Sequence, residues 1–178
     1  MKGFNPCQGN LPCFAPIEDE NGQCVSSLYA GETLEAAVFE TIFHDVPAKA
    51  KRKRVPGNRV EDRAQGRLEV ARNLTLVSLR EPDLKRWHIK RSQLISATPK
   101  SYAYTAEWVE AIHFQFPDVE GLEWTSNQFD PVTVYLFFGD RVQSGDFNIV
   151  YTRDGLTDPS FLNDVRMIGK RSNIRITV

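Results

Sequence analysis

The run VTVYLFFG (132–139) presents hydrocarbon or aromatic surface at nearly every position. A strand with one wet face alternates apolar and polar residues, so an unbroken apolar run describes a strand covered on both faces. Such a strand needs a packed layer on each side of its sheet. LTLVSL (74–79), GLEWTS (121–126), FNIVYT (147–152) and IRITV (174–178) read as further strands. In GLEWTS, Leu122, Trp124 and Ser126 share a parity and hence a face. SLYAG (27–31) is a short strand stopped by Gly31. Strands outnumber helices and no regular β-α alternation appears, so the fold class is α+β. At 178 residues the chain fits one domain spanning 1–178.

Three helices accompany these strands. Thr33 caps one that runs to about His44, where Pro47 discourages continuation. A second covers 105–116 with Trp108, Val109, Ile112 and Phe116 on one side, and a short third covers 161–168. The first is unusual. Leu34, Val38, Phe39, Ile42 and Phe43 spread apolar surface over more than a third of its circumference, interrupted by Glu35. Glu40 falls on the remaining side, with Ala36 and Ala37 one turn before it and His44 one turn after. Small neighbours leave room for something to approach the carboxylate. The plain alternative is a water-facing Glu40 in an i,i+4 contact with His44. A structural role for His44 beside Asp45 is the favoured reading of that histidine.

Residues 1–27 are rich in Gly, Pro and Asn and read as loop with short extended pieces. Cys7, Cys13 and Cys24 lie there at irregular spacing, an odd count without a C-x-x-C pair, which favours reduced thiols over a disulfide framework or a zinc site. Residues 49–72 carry nine basic against three acidic side chains, punctuated by Pro56, Gly57 and Gly66, and read as an exposed excursion. With a formal net charge of -1, no global field recruits nucleic acid or a membrane. No apolar run reaches the ~18 residues of a membrane span, and the first residues lack the apolar core of a signal peptide, so the cytoplasm is the expected compartment.

LYAGETLEAAVFETIFHDVP (28–47) resembles the hallmark segment of the RES domain family, named for an Arg, a Glu and a Ser. FNPCQGNLPCFAPI upstream, ARNLTLVSL in the middle, and GLEWTSNQ with LFFGDRV downstream extend the likeness from about Phe4 to about Val142. The resemblance implies an ADP-ribosyltransferase-like fold, a split and bent β-sandwich with flanking helices. It also implies a bacterial toxin–antitoxin protein that consumes NAD and is neutralised by a helical, Xre-like antitoxin, with nucleic acid met only through that partner. No metal is implied, and homo-oligomerisation within the complex stays open. The family glutamate matches Glu40, the tyrosine Tyr29 and the serine Ser126; together they are the implied catalytic and NAD-binding residues. Glu40 would stabilise the positive charge that develops as nicotinamide leaves its ribose. Tyr29 would give an aromatic wall and Ser126 a hydroxyl near the nicotinamide or ribose. From pattern alone, a strand tyrosine is core or rim packing and a serine at a strand end is a turn former.

The family arginine should precede the phenylalanine of an RFAPI-like segment, where this chain has Cys13 in LPCFAPI. A guanidinium grips a pyrophosphate through paired, charge-assisted hydrogen bonds, and a thiol does not. An attenuated or inactivated toxin is therefore the favoured expectation, with compensation by the basic run at 49–54 as the alternative. The family pattern also leads one to expect a further N-terminal strand. After nicotinamide departs, water or phosphate is the expected acceptor; a protein side chain, making the chain an ADP-ribosyltransferase, is the rival. From another class, KAKRKR (49–54) could contact nucleic-acid phosphates without any enzymatic role.

Overall fold

A computed structural model describes residues 4–7, 14–47, 49–96 and 101–177. The fold is α+β. In chain order the elements are β1 (Ile17–Glu18), β2 (Cys24–Val25), β3 (Ser27–Gly31), α1 (Leu34–Thr41), β4 (Lys53–Pro56), α2 (Asn58–Glu61), β5 (Ala64–Val70) and β6 (Leu76–Ser78). They continue with α3 (Glu81–Arg86), α4 (Arg91–Leu94), α5 (Tyr102–Gln115), β7 (Gly121–Thr125), β8 (Thr133–Phe138), β9 (Phe147–Asp154), α6 (Pro159–Arg171) and β10 (Ile174–Thr177).

The principal sheet has the order β3-β8-β7-β6. The first two pairings are antiparallel and the last is parallel. β8, the apolar run, sits inside this sheet. Val134, Leu136 and Phe138 point into one core with Leu122 and Trp124 of β7, Leu79, Leu84, Leu94, and Val109 and Ile112 of α5. Phe137 points the other way, into a smaller cluster with Val142, Phe147 and the half-buried Leu28, Leu68, Leu74, Leu76 and Tyr135. Both faces of β8 are thus covered, and its alternation is lost for that reason.

A third cluster joins α1 to α6 and to the parallel pair β10-β4 through Val38, Ile42, Phe43, Val55, Val60, Phe161, Val165, Ile168, Ile174 and Ile176. Phe161, Val165 and Ile168 fall at i, i+4 and i+7, one stripe of α6. Asp158 caps that helix by accepting from the Ser160 amide, with Pro159 at its first position.

Several local expectations need correction. Residues 49–72 are not a loop excursion: β4, α2 and β5 lie within them, and Val55 and Val60 are fully buried. Pairing of β4 with β10, far away in sequence, orders a segment whose charges suggested solvent. Phe116 is 52% exposed rather than buried, because α5 ends at Gln115 and Phe116 leaves the helical screw. His113, assigned no role from sequence, is buried and bonded through Nε2 to Asp140 Oδ2 at 2.9 Å. Arg141 donates to the carbonyls of His113 and Phe116, satisfying acceptors that the end of α5 leaves open.

Two of the thiols are not reduced. Cys7 and Cys24 form a disulfide with Cα atoms 6.5 Å apart. Asn5 and Ser27 exchange backbone hydrogen bonds, and continuing that antiparallel register brings Cys7 opposite Val25, beside Cys24. The pairing arises from this tertiary contact, which cysteine spacing does not reveal. Cys13 lies outside the described residues.

A charged clamp ties the end of β5 to the starts of β6 and β7 and the turn before β9. Arg72 binds Glu120 at 2.5 Å and Asp146 at 2.8 Å, while Glu120 also accepts from the Thr75 amide. Hydrogen bonds from Arg72 hold both carboxyls below the usual carboxylate range. A carboxyl whose folded pKa is depressed stabilises fully above its unfolded pKa, and that stability disappears as the pH falls toward the folded value. Arg72→Met is therefore expected to melt at lower temperature than the wild type at pH 7. The gap should narrow as melts are repeated at pH values falling below the ordinary carboxylate range. A gap that is constant with pH would mean that Arg72 acts through packing instead.

Candidate active site

Helix α1 is set by its cap and wrapped by two cores. Thr33, in extended conformation, accepts from the Ala36 amide at 3.2 Å, satisfying one of the free donors of the first turn. Ala36 enters the core under the main sheet, whereas Val38, Ile42 and Phe43 enter the α6 core. Apolar contact on two sides leaves one side of the helix, and Glu40 occupies it, half-buried.

The Glu40 carboxylate meets the turn that follows β7. Its Oε1 accepts from Ser126 Oγ at 2.5 Å and from the backbone amide of Asn127 at 3.1 Å, with the Gln128 amide farther away at 3.4 Å. Ser126 is 1% exposed, and its Oγ in turn accepts from the amides of Gln128 at 3.1 Å and Phe129 at 2.8 Å. The serine hydroxyl thus gives its proton to Glu40 and turns its lone pairs to two amides, which uses its full bonding capacity. Ser126 is both the turn former and the partner of Glu40. Among the described residues, every hydrogen bond to this carboxylate is taken by Oε1, which anchors it from one side.

Two further contacts hold this junction. Phe129 stacks on Phe39, the residue before Glu40, with centroids 5.2 Å apart and planes at 21°. Arg91, at the start of α4, donates through Nη2 to the carbonyl of Thr125 at 2.8 Å and more weakly to that of Ser126. Sequence reasoning missed both. SNQ after a strand signals a turn, but nothing local shows what the turn packs against.

Tyr29 lies on β3 opposite Leu136 of β8, on the sheet face that also carries Trp124. Its ring packs edge-on to Trp124 at 6.4 Å and remains 36% exposed. Phe14, fully buried, packs edge-on to the same indole at 5.0 Å. Trp124 therefore links Phe14 and Tyr29 to Ser126, two residues farther along the chain. His44 bonds to Asp45 through Nδ1 at 3.0 Å, the structural pairing expected for it.

The opposite face of the same strand ends carries a second polar group. Arg80 binds Glu123 at 3.1 Å and Thr133 Oγ1 at 2.9 Å, while Glu32 accepts from the Thr133 amide. Burial pushes the Tyr135 phenol up, and the nearby Glu32 and Glu123 add to that. Among the described residues, no three His, Cys, Asp or Glu side chains gather to hold a metal. No helix there is long and apolar enough to cross a membrane.

Chemically, a carboxylate fixed through one oxygen by a buried hydroxyl and a backbone amide can stabilise a nearby positive charge or accept a hydrogen bond from a sugar hydroxyl. A family model described as RES domain matches residues 21–154. No curated protein and no solved structure matches the chain significantly.

Proposed function

The chain belongs to the RES domain family, and on that footing we propose that it is an NAD-degrading toxin that cleaves the nicotinamide–ribose bond at Glu40. The observation that carries this reading is the anchored carboxylate: Glu40 Oε1 held by Ser126 and Asn127, with no hydrogen bond to Oε2 among the described residues. Departure of nicotinamide leaves an oxocarbenium-like ribose. A carboxylate that is already oriented and partly withdrawn from water stabilises that cation without reorganising. Tyr29, backed edge-on by the buried Trp124, supplies a wall for one ring of the dinucleotide. Water or phosphate then takes the ribose carbon, giving net loss of NAD.

In this reading Ser126 positions Glu40 instead of touching the nicotinamide. Ser126→Ala would strip one donor from the carboxylate and leave the amides of Gln128 and Phe129 without their acceptor. Nicotinamide release is expected to slow about 10²-fold while NAD affinity changes little. Chromatography of nicotinamide beside calorimetric titration with NAD separates the two quantities. An unchanged release rate would remove Ser126 from the site.

Cytoplasmic action and a helical, Xre-like antitoxin seated over the Glu40 side of α1 complete the proposal. Its direct test is incubation of the purified chain with NAD. Free nicotinamide should appear in step with NAD loss. NAD that stays intact with both the wild type and the Cys13→Arg variant would refute the reading.

A further inference from the structure

β5 and β9 form a sheet of only two strands, the β5-β9 ribbon. Val70, Ile149, Val150 and Tyr151 on it are 52%, 57%, 46% and 38% exposed. A two-stranded ribbon is marginal by itself, and an open strand edge invites another strand. Among the described residues, no strand pairs with the outer edge of β5. Arg67 and Glu69 on β5 are exposed, and neither side chain has an ion pair or hydrogen bond among the described residues. In the ribbon itself they face Tyr151 and Asn148, which neutralise neither charge.

These two charges select a partner and a register. When an antiparallel strand pairs with its own copy, residues equidistant from the two-fold axis lie opposite each other, on the same face. An axis at Arg67 or at Glu69 would oppose two like charges. An axis at Leu68 opposes Arg67 to Glu69 of the copy and Glu69 to Arg67 of the copy, two attractive cross-strand pairs on one face. On the other face it places Leu68 against Leu68 and Val70 beside Gly66, whose missing side chain leaves space. Ile149, opposite Leu68 in the ribbon, extends the same apolar strip.

We propose that β5 is a homodimerisation edge, pairing antiparallel with β5 of a second copy about a two-fold axis at Leu68 to make a four-stranded β9-β5-β5-β9 sheet. Neither strand carries Glu40, Ser126 or Tyr29, so the proposal does not depend on NAD chemistry. The occupant is a second copy because the charge pattern is self-complementary.

The test is charge reversal followed by mixing. Wild-type chain in light scattering after size exclusion should show a concentration-dependent dimer. Arg67→Glu and Glu69→Arg each create two like-charge pairs and should weaken the dimer at least about tenfold. An equimolar mixture of the two variants should recover a dimer containing one of each, and the double variant should self-associate like the wild type. Far-ultraviolet circular dichroism checks that each variant is folded. Hydrogen exchange should show β5 amides slowing as wild-type concentration rises. A wild type that remains monomeric, single variants that dimerise like the wild type, or a mixture that stays monomeric would each overturn the proposal. Protection of β5 only when a different protein is bound would overturn it as well.

Discussion

Glu40→Gln is expected to lower the rate of nicotinamide release by about 10²–10³-fold while leaving NAD affinity and melting temperature close to wild type. The amide keeps the shape of the acid, and its oxygen can still accept from Ser126 and Asn127. What it lacks is the charge. A carboxylate that only supported the fold would be replaced by its neutral isostere with little kinetic effect. A carboxylate that steadies a cation would not. The comparison belongs in both the wild type and a Cys13→Arg background, so that a slow starting rate does not hide the loss. Equal rates for Glu and Gln would remove Glu40 from the chemistry.

Cys13→Arg is the variant expected to act in the opposite direction. A guanidinium on a pyrophosphate in a desolvated site contributes on the order of 2–5 kcal/mol, corresponding to roughly 30-fold to several-thousand-fold in kcat/KM. Phe14, the next residue, packs on Trp124, whose ring also meets Tyr29. The arginine variant should consume NAD faster in vitro and deplete NAD in cells that make it. Cys13→Lys should recover less, since a single ammonium lacks the paired donors of a guanidinium. If neither cation raises turnover, the family arginine has no counterpart at this position.

Sequence patterns disclosed the elements whose local signals agree with their packing. Thr33 caps α1 and β8 is buried on both faces, because capping and apolar continuity are local properties. The placement of Glu40 on the side of α1 left over by its apolar arc was also legible. The rest depends on residues distant in sequence. The Cys7–Cys24 disulfide follows from Asn5 pairing with Ser27, and the order of residues 53–70 from pairing with β9 and β10. α3 and α4 are too short for a helical period to emerge. The hydrogen bond from Ser126 to Glu40 joins positions that only the folded sheet brings together. Family resemblance named both residues, and in the fold the serine hydroxyl is committed to Glu40 and two backbone amides, which no local pattern indicates.

The sharpest probe of the mechanism is the kinetic isotope effect from tritium at the anomeric carbon of the nicotinamide ribose, measured on nicotinamide release by the more active of the wild-type and Cys13→Arg chains. Rehybridisation toward a sugar cation at the transition state predicts a large normal effect. An effect at or below unity would contradict a carboxylate-stabilised cation as the species that Glu40 serves.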